Sequence, residues 1–177
     1  MESLPRYHRW VNASHTAAKY ETFMVPGIQG LGRLDHDLYE QDGLLTRNPM
    51  ALSSSSDLGA LSYHITISYL WVLGAYEIIR SMQQRNNDAG LSDEKLTALL
   101  RKFERLRMPL AKFEPANRHK NTDSKIAYPA LNELHGIAWQ ISEEIFISRG
   151  ELANEFLSLL EGWRAASTTA SQVAPPK

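Results

Sequence analysis

The feature that most constrains this chain is one long apolar stretch, which runs from Leu58 to Arg85. Its apolar residues recur at intervals of three and four, and this spacing predicts a single long helix rather than a set of strands. The apolar positions form two stripes, so we expect the helix to be packed against neighbours on two faces. Gly74 costs the helix about 1 kcal/mol relative to Ala. We therefore expect another element to approach the helix closely at Gly74.

Polar residues interrupt this stretch and argue against a membrane span. They are His64, Thr66, Ser68 and Glu77. The first residues of the chain lack the apolar region of a signal peptide. The chain has no cysteine, which excludes disulfides, thiolate metal sites and a cysteine nucleophile. We accordingly expect a cytoplasmic protein with no membrane partner and no cofactor.

A second helix is predicted directly after the first. Ser92 is an N-cap residue followed by two acidic residues, and the apolar positions from Leu96 to Leu110 lie on one face. Pro109 should kink or end this helix near Met108. Because only a short turn separates the two helices, we expect them to pack antiparallel.

Shorter patterns follow the helix pair. Residues 136–141 alternate with a period of two and residues 144–147 form a second apolar run, which together predict a small β-hairpin near residues 136–147. Residues 129–134 are predicted to hold one helical turn, and residues 148–151 form a capping box that begins a last helix. The predicted fold class is therefore mainly α: a helical bundle around a long antiparallel helix pair, with a small β-hairpin.

These patterns divide the chain into three parts. Residues 1–57 are predicted to be an irregular N-terminal segment packed on the bundle, with short helices near residues 14–23 and 34–45. Gly27, Gly30 and Gly32 are predicted to lie in a loop between those helices. Residues 58–164 form the helical bundle core. Residues 165–177 are small and polar with a double proline, which predicts a disordered tail.

The histidines predict no metal site. Asp35, His36 and Asp37 are adjacent in the sequence, and neighbouring residues on a helix cannot all face one ion. We interpret them as exposed polar residues of a short helix. His64 and His135 have apolar neighbours and are interpreted as hydrogen-bonded residues of the core or its boundary.

Charge is distributed unevenly along the chain. The segment 101–125 has eight Lys or Arg and three Asp or Glu, so it is +5, whereas the rest of the chain is −6. One interpretation is a solvated face that acidic residues of the same chain neutralise. The other is a surface for an anionic partner, either nucleic acid or an acidic protein. The segment lacks interleaved exposed aromatic residues, which disfavours a platform for stacking single-stranded bases.

The first predicted helix contains residues 75–80 (Ala-Tyr-Glu-Ile-Ile-Arg), and the second ends in residues 106–114 (Leu-Arg-Met-Pro-Leu-Ala-Lys-Phe-Glu). In these segments the antiparallel pair resembles the HEPN superfamily of helical bundles. Many HEPN proteins are metal-independent ribonucleases of toxin–antitoxin, abortive-infection and CRISPR systems, with an Arg followed four to six residues later by a His. Arg107 matches the motif arginine, Met108 replaces the usual polar residue, and Lys112 stands at the histidine position.

An alternative start of the motif is Arg118-His119, but Asp123 then occupies the histidine position. RNA cleavage needs a group that exchanges protons near neutral pH, which a Lys does only when burial lowers its pKa. If the resemblance holds, we expect the ribonuclease activity to be lost.

We therefore predict a non-catalytic binding or accessory protein that engages RNA, DNA or an acidic protein, in a bacterial defence or toxin–antitoxin-type system. The predicted anion-binding residues are Arg101, Lys102, Arg105, Arg107, Lys112, Arg118, His119 and Lys120. A divergent HEPN-type ribonuclease using Arg107, Lys112 and His119 is the first alternative. A structural homo-oligomeric subunit is the second.

Overall fold

The computed structural model describes residues 5–47 and 55–173, and within the second range it describes side chains from residue 57 to residue 166. The described helices are α1 (Arg6–Ser14), α2 (Met24–Arg47), α3 (Ser55–Asp88), α4 (Glu94–Ala111) and α5 (Arg149–Val173). Three short strands, β1 (Tyr128–Asn132), β2 (Gly136–Gln140) and β3 (Phe146–Ser148), form one antiparallel sheet. The predicted fold class, mainly α with a small β-hairpin, is confirmed.

Helix α3 is the longest helix among the described residues, and it packs against α2, α4 and α5. Trp71 is fully buried on α3, and its indole Nε1 donates to the backbone oxygen of Leu31 on α2 at 2.9 Å. A Cβ built on Gly74 would lie 3.2 Å from a methyl carbon of Leu31. The expectation that another element approaches α3 closely at Gly74 is therefore confirmed.

The expected packing of α3 on two faces is wrong for its N-terminal half. Leu58, Tyr63 and Leu70 have exposed fractions of 59%, 66% and 50%. By length and composition α3 is also the one helix among the described residues that is able to cross a membrane, and 28% of its most apolar window is buried in the fold. That α3 does not span a membrane stays a prediction.

Helix α4 packs antiparallel to α3. Thr97 Oγ1, near the start of α4, donates to Gln83 Oε1 near the end of α3 at 3.0 Å, whereas Arg107, near the end of α4, lies over the ring of Tyr76. The N-cap is Asp93 rather than the predicted Ser92, and its carboxylate accepts the backbone N–H of Leu96. Pro109 lies inside α4, which continues to Ala111, past the predicted end near Met108.

The N-terminal part is more regular than predicted. Its longest element is α2, a helix of 24 residues, and the glycines assigned to a loop lie inside it. A Cβ on Gly32 would overlap the side chain of Trp10, so this glycine permits α1 to pack directly on α2. The indole of Trp10 in turn meets the ring of Phe156 on α5 edge-on at 5.4 Å.

The sheet contains the predicted hairpin and one further strand. β2 pairs antiparallel with β3, as expected for residues 136–147. β1 also pairs with β2, with Tyr128 opposite Gln140, so the predicted helical turn at residues 129–134 is wrong. The predicted disordered tail is wrong for residues 165–173, which belong to α5; residues 174–177 lie outside the described residues. The capping interaction that begins α5 is present, because Ser148 Oγ accepts the backbone N–H of Glu151 at 3.1 Å.

Candidate nucleic-acid interface and a buried charge cluster

Two of the predicted anion-binding residues are neutralised within the chain. Lys102 Nζ donates to Glu151 at 2.6 Å and to Glu155 at 2.5 Å, both on α5. Partial burial tends to lower the pKa of Lys102, but the hydrogen bonds to these two carboxylates outweigh it and raise the pKa. The charge of Lys102 is therefore balanced by α5.

Arg105 pairs with Asp123 through two parallel hydrogen bonds of 2.8 Å. The Asp123 side chain is only 1% exposed, and the hydrogen bond from Arg105 holds the pKa of this carboxyl below its ordinary value. The pair ties α4 to the loop that precedes β1 and fixes the path of that loop. Arg105, one of the predicted anion-binding residues, therefore stabilises the fold through this ion pair.

Arg107 and Lys112, the two candidates of the HEPN-like motif, have different environments. The Arg107 guanidinium carbon lies 5.0 Å from the ring centre of Tyr76, a cation–π contact. Lys112 is exposed at the C-cap of α4. Burial raises the pKa of Tyr76, so its ring stays a neutral phenol beside Arg107.

Arg118 and His119 lie in a short 3₁₀ turn, Asn117–His119, that faces α4. A groove of about 410 Å³ separates this turn from α4. We call it the basic groove, and it is lined by Arg101, Glu104, Ala116, Asn117, Arg118 and His119. Within the described residues, Arg101, Arg118 and Lys120 take part in no ion pair. The basic groove therefore presents cationic side chains that the fold itself does not neutralise.

Phe113 lies between α4 and the 3₁₀ turn and has an unusual backbone conformation. Its φ is +56°, the left-handed region, and it alone among the described non-glycine residues has a positive φ. For an L-residue this conformation costs roughly 1–2 kcal/mol. The side chain is 65% exposed. The expectation that the basic segment lacks an exposed aromatic residue is therefore wrong.

A second group of charged residues is buried where α1, α2, α3 and α5 meet. We call it the charge cluster; its members are Arg6, Asp35, Asp42, His64 and Arg149. Asp35 is fully buried and accepts hydrogen bonds from Arg6, from Arg149 and, at 2.7 Å, from the indole of Trp10. The two arginines and the two aspartates of the cluster carry equal and opposite formal charges.

Asp42 is buried at the side of the cluster that faces the turn before β2. It accepts from Arg149 at 2.5 Å, from His64 Nε2 at 2.8 Å and from the backbone N–H of Ile137 at 3.1 Å. Burial would raise the pKa of Asp42, but these donors and the charge of Arg149 outweigh it and hold the pKa below its ordinary value. Gly136 has a φ of +71°, and a Cβ there would overlap the Asp42 side chain, so the turn before β2 requires a glycine.

His64 is a hydrogen-bonded core residue, as its apolar neighbours predict. Because the carboxylate of Asp42 has no proton to give, the imidazole Nε2 must carry the hydrogen. Its Nδ1 is buried and has no hydrogen-bond partner among the described residues. The same is true of Ser68 Oγ and Arg149 Nε. The interpretation of Asp35, His36 and Asp37 as exposed residues is wrong for Asp35, which is fully buried, and for His36, which is half-buried; Asp37 is exposed.

A cleft of about 320 Å³ lies beside the charge cluster, between α2, the turn before β2 and the start of α5. Asp42 and Asn154 line it, and exposed side chains of Tyr39, Leu44 and Leu134 stand at its edge. In the described part of the chain no three His, Asp or Glu side chains are placed to hold a metal ion. The cleft and the basic groove share no residue.

The sequence contained a signal for the charge cluster. Ile28, Gly32, Asp35, Leu38 and Asp42 recur at helical spacing, and all five are buried on α2. The two aspartates are thus in phase with an apolar stripe. A carboxylate at such a position needs a buried cation, and its partner Arg149 lies more than 100 residues away in the sequence.

The chain matches no protein-family model, and no curated protein or solved structure is significantly similar to it.

Proposed function

We propose that the protein binds a polyanion, with nucleic acid as the partner, through the basic groove and the cations beside it. The observation that carries the proposal is the set of cations left over after internal pairing. Lys102 and Arg105 are neutralised by carboxylates of the chain, whereas Arg101 and Arg118 face one groove and are not. Phosphates are suited to such a groove because their oxygens accept hydrogen bonds from guanidinium groups.

The test reverses charge in the basic groove. We expect the double variant Arg101→Glu, Arg118→Glu to elute from heparin at much lower salt than the wild type. Its binding to an oligonucleotide should also depend less on salt, with the slope of log K against log salt reduced by about 1.4–1.8 for two lost phosphate contacts.

The matched control is the double variant Arg33→Glu, Arg80→Glu. It makes the same change in net charge at two exposed arginines of α2 and α3, which pair with Asp37 and Glu77. If both double variants lose retention equally, the effect comes from net charge and the basic groove is not the site. Retention on polyglutamate without retention of RNA or DNA would instead identify an acidic protein as the partner.

The ribonuclease alternative has support from one observation. His119 lines the same groove as two arginines, so a proton-exchanging group stands beside phosphate-binding groups. The link to a defence system rests on the HEPN resemblance alone. RNA cleavage that the wild type performs and His119→Ala does not would favour the enzyme; equal background cleavage by both would remove it.

A homo-oligomer is supported by the exposed apolar residues on the N-terminal half of α3. Tyr63 and Leu70 are at least half exposed and lie two turns apart on one face. Burial of such a face is a common basis of dimerisation. We expect light scattering to report a dimer for the wild type and a monomer for Tyr63→Glu, Leu70→Glu. A wild-type monomer at high concentration would contradict this.

A further inference from the structure

Phe113 is a phenylalanine at a position where the end of a helix favours glycine. Its backbone is in the left-handed region, and its ring is 65% exposed. The residue follows the C-cap of α4, where glycine is usual because it adopts this conformation without strain. Phe113 does not belong to the hydrophobic core or to the partly buried residues packed on it, among those that the structure describes.

The residues on either side of Phe113 belong to the proposed anion-binding surface. Lys112 precedes it directly, and Arg118 follows it by five residues, in the 3₁₀ turn that lines the basic groove. Ala116 is buried and anchors the chain between Phe113 and this turn. Phe113 is thus an exposed aromatic residue between two cations of the sequence that take part in no ion pair among the described residues. Strained backbone of this kind is concentrated at functional sites.

We propose that Phe113 stacks on an unpaired base, so that the ligand of the basic groove is single-stranded nucleic acid. A ring beside a positively charged groove is the arrangement by which proteins bind single strands without reading sequence, because every base has a face that can stack. In a duplex the base faces are covered by their neighbours, and the ring finds no partner. This inference rests on the proposed binding of nucleic acid and names its class.

The deciding variant is Phe113→Gly, because it removes the ring and also relieves the backbone strain. We expect it to bind a labelled oligo(dT) of about ten nucleotides at least about fivefold more weakly than the wild type. Its urea unfolding midpoint should be unchanged or higher, and its elution from heparin should be unchanged. Phe113→Trp keeps an aromatic ring and should keep the affinity. Phe23→Ala, at a residue that is 84% exposed and outside the basic segment, is the matched control.

The outcomes separate this inference from the function on which it rests. If Phe113→Gly binds oligo(dT) as the wild type does, stacking by Phe113 is wrong, although binding through the basic groove survives. Equal affinity of the wild type for oligo(dT) and for the corresponding duplex would also overturn it. If the wild type binds neither oligonucleotide nor heparin, the proposed function fails and the inference fails with it.

Discussion

The charge cluster and the basic groove both contain arginines, but their surroundings are opposite. In the charge cluster, Arg149 is fully buried and donates to two aspartates, Asp35 and Asp42. In the basic groove, Arg101 and Arg118 face solvent without an ion pair among the described residues. A buried charge must be balanced by its neighbours, whereas an exposed one is balanced by water and ions. The first arrangement therefore fixes a fold, and the second is available to a ligand.

The largest effect is expected from Arg149→Met, which removes the arginine from Asp42 and leaves Asp35 paired with Arg6 alone. Removing one partner of a buried ion pair costs about 3–5 kcal/mol. We expect urea unfolding to show a loss of this size. The same substitution in the basic groove, Arg118→Met, should change the free energy of unfolding by less than about 0.5 kcal/mol. Equal losses in the two variants would contradict the contrast between the regions.

The next effect tests how tightly Asp42 is held. Gly136→Ala places a methyl group inside the Asp42 side chain and also strains a φ of +71°. We expect a loss of about 2–4 kcal/mol from the two causes together. Gly90→Ala is the control, because Gly90 has a φ of +66° but nothing within 4 Å of the added carbon. Gly90→Ala should lower the free energy of unfolding by about 1 kcal/mol. A similar loss for Gly136→Ala would mean that the Asp42 side chain can move aside at little cost.

A smaller effect concerns Asp123, which connects the basic segment to the fold. Its pKa is lowered in the folded state, mainly by the hydrogen bond from Arg105, so its contribution is complete above the unfolded pKa and disappears as pH falls through the folded pKa. We expect Asp123→Asn to be about 1–2 kcal/mol less stable than the wild type at pH 7. The gap should close as the pH falls from 3.8 towards the folded pKa.

Urea unfolding at a series of pH values between 7 and 2 measures this gap. A difference that stayed constant over the whole range would show that the ionised carboxylate of Asp123 is not what stabilises the loop.

The smallest effect is expected from Lys102, whose ion pairs lie at the surface. The side chains of Lys102, Glu151 and Glu155 are 29%, 38% and 42% exposed. Lys102→Met should therefore cost only about 0.2–1 kcal/mol, and the cost should shrink further in about 1 M salt. Unfolding midpoints at low and high salt check this. A loss as large as that of Arg149→Met would place Lys102 with the buried charges instead.

Local patterns predicted the elements whose partners are close in sequence. Helix α3, its antiparallel partner α4 and the β2–β3 hairpin follow from periodicity and short turns. The glycines of α2 were misread because a glycine in isolation resembles a turn, and only the position of Trp10 explains Gly32. β1 was missed because Pro129 is unusual in a strand, although an edge strand such as β1 tolerates it.

For the candidate sites, too, some features could be predicted from the sequence and others depend on long-range packing. The surplus of cations was visible in the sequence, but which of them are neutralised depends on Asp123, Glu151 and Glu155, and these contacts follow only from the packing. The exposure of Phe113 depends on how α4 ends. The charge cluster needed contacts between segments that no local pattern joins.

The contacts between α1 and α5 have a consequence for synthesis. Arg6 donates to Asn154 and Arg9 to Glu161, over separations of 148 and 152 residues. Until α5 has emerged from the ribosome, the nascent chain has two aspartates and an N-terminal helix but not the arginine that joins them. Long-range contacts of this kind form late and slow the folding of a chain. The protein is therefore expected to complete its core only when nearly all of these residues have been translated. Until then, the apolar faces of its N-terminal helices lack their partner α5.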